Sequence, residues 1–184
     1  SSIDSSHLKE HPELLELAAN NPNIAVEVVL DKAGPDTFEL TQLENLYSVD
    51  LNTRDAIKDF SKKNFNILAN QDPMKDQDLE NFSNLCSSIG RMDPDTLKVA
   101  YNNLDPVKNN EIAKATLEKI DKLLNADPIN NNKISQMFEV ANEMNPKATK
   151  AYIKNMDPIT LEKHMGSITS APLSAALKAR LVKA

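Results

Sequence analysis

Cysteine is nearly absent from this 184-residue chain: Cys86 stands alone. No intrachain disulfide can form, a zinc site built on cysteine and histidine is excluded by count, and a cytoplasmic or other reducing compartment is expected. Glycine is almost as scarce, with only Gly34, Gly90 and Gly166. Phosphate-cradling loops, tight hairpins and dinucleotide folds need glycine where φ is positive or where backbone approaches a ligand, so they are not expected. Aromatics are 4% of residues with no Trp, which removes the stacking platforms of single-strand binders. The net charge of −6 argues the same way, and no nucleic-acid partner is expected. No apolar run approaches the roughly 20 residues that span a bilayer; the longest, Ile24–Leu30, is interrupted by Glu27. Ser1–Ser6 lacks the basic and apolar regions of a signal peptide. The absence of an opening Met predicts a fragment of a longer protein.

The residues that are present form a globular mix, 40% hydrophobic and 26% charged. Ten prolines are spread along the chain. Asp72-Pro73, Asp93-Pro94, Asp105-Pro106, Asp127-Pro128 and Asp157-Pro158 repeat one dipeptide, and Asn21-Pro22 and Asn145-Pro146 resemble it. Asp or Asn at an N-cap accepts a hydrogen bond from a free first-turn amide, and Pro next to it lacks an N–H that would go unpaired anyway. The residue before Pro is also pushed out of the α region, so each dipeptide closes one helix and opens the next. This spacing predicts helices over 6–19, 22–33, 36–47, 53–69, 73–90, 94–103, 106–125, 128–143, 146–155, 158–166 and 172–183.

Apolar periodicity agrees with those boundaries. Leu79, Phe82, Leu85, Ile89 and Met92 recur at three or four residues, as do Ile134, Met137, Phe138, Ala141 and Met144. Leu173, Ala176, Leu177 and Leu181 line the last helix. Ala56, Phe60, Asn64 and Ile67 form a further stripe, with Asn64 as its one polar member. Residues 24–30 are β-branched enough for a strand, but no other segment offers a partner, so helix is expected. Met92–Pro106 and Met144–Pro158 share Met, Pro, Lys, Asn, Asp and Pro at an offset of 52 residues. The expectation is an all-α single domain over 1–184. It is a compact multi-helix bundle or irregular helical array of about 10–11 helices with an internal duplication of helix pairs. The sub-repeats are 72–126 and 127–184, and 1–71 is more divergent. Tetratricopeptide, ankyrin and armadillo patterns do not fit.

Catalytic and metal chemistry is not legible, and neither a cofactor nor a metal is expected. His164 reads as a helix-face residue near a C-terminus. His7 and His11 have two-His spacing, but no Glu directly follows the first, and a solvated segment is the expectation. The acid-rich run Asp72–Glu80 lacks the central Gly and terminal Glu of a calcium loop and reads as an acidic first helical turn. Cys86 falls on the apolar stripe and reads as a small hydrophobe.

Charge is asymmetric. Residues 1–71 carry 12 acids and 6 bases, residues 72–128 carry 11 and 7, and residues 129–184 carry 4 and 8. Lys147, Lys150 and Lys154 share one helix face at the basic end. Such a stripe suits an acidic protein, anionic headgroups or phosphate, although an ordinary solvated face has the same pattern. Arginine is scarce, with Arg54, Arg91 and Arg180 against 18 lysines. Arg54 sits in Ser48–Arg54, a polar link between helices, and, with the three lysines, is a candidate partner or phosphate contact. The functional expectation is a non-catalytic helical protein–protein interaction module. Its Asn- and Lys-rich style suits a fragment of a bacterial effector, delivered to a host cell and acting on a host protein such as a small GTPase. A peripheral anionic-lipid module using the basic C-terminal third (residues 129–184), and the helical lobe of an enzyme, are the alternatives.

Overall fold

The computed structural model describes residues 10–11, 13–20, 26–34 and 38–164. These form ten α-helices and no strand. They are α1 (Glu13–Asn20), α2 (Val26–Lys32), α3 (Leu40–Val49), α4 (Arg54–Ala69), α5 (Asp76–Met92), α6 (Pro94–Asn103), α7 (Pro106–Leu124), α8 (Asn131–Met144), α9 (Pro146–Asn155) and α10 (Pro158–His164), with a 3₁₀ turn, Leu51–Thr53, between α3 and α4. The all-α expectation holds, and Val26–Lys32 is helical despite its β-branched side chains. The expected helix at 172–183 and His7 lie outside the described residues.

Five of the expected helix starts agree with the structure or fall within a residue of it, and the caps show why. Asp105 Oδ1 accepts from Val107 N at 2.7 Å, Asn145 Oδ1 from Ala148 N at 2.9 Å, and Asp157 Oδ2 from Thr160 N at 3.0 Å. Asp93 accepts from Asp95 N at 3.2 Å and from Thr96 Oγ1 at 3.0 Å. Two acid-proline pairs do not open helices. Asp72-Pro73 and Asp127-Pro128 have cis peptide bonds and lie in turns. The capping work there falls to residues downstream. Asp78 Oδ2 accepts from Lys75 N at 2.7 Å at the head of α5, and Asn130 Oδ1 from Lys133 N at 3.0 Å at the head of α8. These acceptors satisfy first-turn amides, so the helices begin at Asp76 and Asn131 instead of 73 and 128.

The described residues fall into two compact units. The first comprises the chain up to Gln71 together with Leu85–Asn102; the second comprises Asp72–Asn84 and the chain from Asn103 onward. The division therefore runs through α5 and cuts the expected sub-repeat 72–126. In the first unit α1 packs on α2, α2 on α4, and α3 on α4. Its core gathers Leu15, Val29, Leu30, Phe38, Leu43, Ile57 and Phe60. Phe38 and Phe60 meet at 6.1 Å between ring centroids, and Phe65 meets Tyr101 edge-on at 5.5 Å. In the second unit α7 packs on α8, and α9 on both. Ile112, Ile120, Ile134, Met137 and Phe138 are buried there, and burial of each such side chain contributes about 1.5–3 kcal/mol before entropy is counted.

Candidate functional site

The first unit carries an exposed corner where α3 gives way to α4. Leu43 and Leu46 bury one face of α3, which leaves Glu44 and Tyr47 half-buried on its flank. The helix ends at Val49, and Asp50 turns the chain. Its Oδ1 accepts from Asn52 N at 2.9 Å, and its carbonyl accepts from Thr53 Oγ1 at 3.0 Å. So tight a turn leaves two aliphatic side chains in solvent: Val49 is 80% exposed and Leu51 71%.

Arg54 is the first residue of α4, directly after the 3₁₀ turn, and does not lie in an open polar link. Its Nε donates to the Tyr47 carbonyl at 2.8 Å, and its guanidinium carbon lies 4.8 Å from the centre of the Tyr47 ring. Stacking on the ring face and one charged hydrogen bond together hold the guanidinium plane in place. Its two terminal nitrogens have no hydrogen-bond partner among the described residues.

The last turn of α5 brings a second arginine. Arg91 donates from Nη2 and Nε to Glu44 Oε1 at 2.7 and 3.1 Å, and from Nη1 to Ser87 Oγ at 2.8 Å. Partial burial pushes the Glu44 carboxyl upward, but the hydrogen bonds from Arg91 and the guanidinium charge more than offset this, so Glu44 titrates below the ordinary carboxylate value. Glu44, Tyr47, Ser48, Arg54, Arg91 and Met92 line an open groove of about 520 Å³. Within it Arg91 is neutralised by Glu44, and Arg54 is the cation left over.

The lysine stripe is in the second unit. Lys147, Lys150 and Lys154 are all exposed on α9, opposite buried Thr149 and Ile153. None has an ion pair or hydrogen bond among the described residues. Other lysines of this unit are paired. Lys119 reaches Glu80 at 3.0 Å and Asp76 at 3.5 Å, Lys122 reaches Asp76 at 3.1 Å, and Lys133 reaches Glu80 at 2.5 Å. The acid-rich head of α5 is therefore the anionic half of a structural network. Burial pushes the Glu80 carboxyl upward, but hydrogen bonds from Lys133 and Lys119 outweigh it and hold the group below its ordinary value.

Each unit carries a further depression. Asp121, Leu124, Tyr152 and Asp157 contribute to a cleft of about 390 Å³ in the second unit. The Tyr152 hydroxyl donates to Asp121 Oδ1, and burial, then that bond and its charge, raise the phenol above its ordinary range. No basic group on the described lining accompanies them. A groove of about 570 Å³ between α2 and α4 in the first unit has Val28, Leu30, Ala56 and Phe60 on its wall. On its wall Lys63 donates to the Asp31 carbonyl at 2.7 Å and Asp59 pairs with Lys62 at 2.9 Å. Cys86 is buried in α5, and burial pushes its thiol up to about 12. Among the described residues no three of His, Cys, Asp or Glu are placed to hold a metal ion, and no helix is long and apolar enough to cross a membrane.

Sequence reasoning singled out Arg54 but missed Arg91, Glu44 and Tyr47. The scarcity of arginine pointed to Arg91 equally. Its partner Glu44 lies 47 residues away, and no linear pattern joins them. No protein-family profile, curated protein or solved structure matches this chain.

Proposed function

We propose that this chain is a non-catalytic protein–protein interaction module whose contact face is the corner between α3 and α4. One observation carries the reading: Val49 and Leu51 are 80% and 71% exposed beside a groove walled by Tyr47, Met92 and two arginines. Aromatic, methionine and arginine side chains are enriched where proteins meet, while lone exposed aliphatics elsewhere need no explanation. Among the described residues, six of the eight large exposed hydrophobics (Leu17, Val28, Val49, Leu51, Ile67 and Val99) belong to the first unit. Covering Val49 and Leu51 would contribute about 1.5–3 kcal/mol each at full burial.

The test is a photo-reactive amino acid placed at Leu51 and, as control, at Asn66, which is also exposed. A discrete cross-linked protein adduct at position 51 and none at 66 is expected in lysate. Equal labelling at both positions, or none at 51, refutes the reading. An effector fragment acting on a small GTPase is the finer form of this proposal. It rests on the Asn- and Lys-rich helical style of the sequence; the corner's geometry supports only the coarser reading of a protein partner.

The unpaired lysines of α9 favour a second reading, a peripheral contact with an anionic surface. Sedimentation with phosphatidylserine vesicles at low salt, lost at high salt and lost on reversal of Lys147, Lys150 and Lys154 to Glu, supports it. Sedimentation independent of anionic lipid refutes it.

A further inference from the structure

We infer that Arg54 is the specificity contact of this face, pairing end-on with one carboxylate of the partner protein that is flanked by an apolar residue seated on Val49 and Leu51. The inference rests on the interaction reading above and names the partner's chemistry. Arg54 spends its Nε on the Tyr47 carbonyl at 2.8 Å and stacks on the Tyr47 ring at 4.8 Å. What remains open is the edge formed by its two terminal nitrogens, the geometry that meets both oxygens of a carboxylate. The guanidinium is already ordered, so less side-chain entropy is lost on pairing than for a free surface arginine. Arg91 is less suited, because Glu44 neutralises its charge and, with Ser87, takes three of its five N–H donors.

The surroundings limit the occupant to a lone acid. Asp50 and Asp55 flank Arg54 along the chain, and the residues of the first unit carry 14 acids against 8 bases. A run of acids, or a doubly charged phosphate, meets that field with one free guanidinium to offset it. A single carboxylate between apolar neighbours meets the guanidinium at close range and gives the flanking side chains to Val49 and Leu51.

The test uses a displayed library of random dodecapeptides selected against the full chain. Wild type is expected to enrich peptides in which one Asp or Glu lies next to an aliphatic or aromatic residue. With Arg54→Gln the acidic preference disappears, and the best peptide binds about tenfold or more weakly, the scale of a charged bidentate pair. Arg54→Lys behaves similarly, because an ammonium lacks the planar fork. The double variant Val49→Ser with Leu51→Ser loses all enrichment. Melting temperatures matched to wild type establish that each variant is folded. If the wild type enriches nothing beyond what the double serine variant does, the interaction reading itself fails. If apolar peptides are enriched without an acid, or Arg54→Gln binds the best peptide as tightly as wild type, this inference alone is overturned. Tighter binding after phosphoserine replaces the acid also overturns it and reassigns the contact to a phosphopeptide.

Discussion

Replacing Asn64 with Leu is expected to make the protein more stable. Asn64 lies on the buried face of α4 at 1% exposure, in line with Ile57, Phe60 and Leu68. Its Nδ2 donates to the Phe60 carbonyl at 2.9 Å, but its Oδ1 has no partner among the described residues. A buried acceptor left unpaired costs about 1–3 kcal/mol, and the net worth of the amide's one bond is about 0.5–1.5 kcal/mol. The Phe60 carbonyl keeps its place in the helix ladder when the side chain is removed. Leucine branches at the same atom and adds burial worth about 1.5–3 kcal/mol, against which overpacking takes back about 1–3 kcal/mol. The balance is a gain of about 1–2 kcal/mol, or a rise in melting temperature of roughly 2–8 °C for a chain of this size. Calorimetry and urea melts followed by helical circular dichroism measure it, with Asn64→Asp as the opposite control, expected to destabilise by burying an unpaired charge. A lower melting temperature for the leucine variant would refute the reasoning.

Acid titration tests the network at the head of α5. Glu80 is held below its ordinary value of 4.5, so its contribution is present above the unfolded-state pKa and is lost as pH falls through that range. Glu80→Gln is expected to be less stable than wild type at pH 7 and to converge with it as pH falls below 4.5; a constant gap across that window contradicts this. Lys119 is pulled down by burial but raised more by Glu80 and Asp76, so its share is lost only as pH rises through 10.5 and beyond. Phe138, fully buried and 5.9 Å from Tyr152, is expected to cost about 3–5 kcal/mol on truncation to Ala, read as a drop in urea midpoint. Asp105→Ala removes the cap of α7 and is expected to cost about 1 kcal/mol, while Asp127→Ala, whose residue caps no helix, is expected to stay within about 0.5 kcal/mol.

The helices were legible because their causes are local. Apolar residues at three- and four-residue spacing, and an Asp or Asn with a Pro after it, act within one or two turns. At Asp93, Asp105, Asn145 and Asp157 the same dipeptide chemistry reappears as hydrogen bonds of 2.7–3.2 Å. The two exceptions, at 72–73 and 127–128, follow from the same locality. At 127–128 a competing acceptor two or three residues downstream, Asn130, takes a first-turn amide, and at 72–73 Asp78, five or six residues downstream, takes the Lys75 amide just ahead of α5. Asn64 was readable as a polar member of an apolar stripe, whereas its unpaired oxygen was not.

By itself the sequence determined an all-helical chain, where five of its ten described helices begin, and which faces they bury, since periodicity and capping are properties of neighbours along the backbone. The tertiary structure alone decided which charges remain available. Arg91 is consumed by Glu44 from 47 residues away, and Lys119, Lys122 and Lys133 by the acids of α5, while Arg54, Lys147, Lys150 and Lys154 are left over. Ion pairing depends on distance through space, and helix packing sets those distances without leaving a trace in the linear order of the residues.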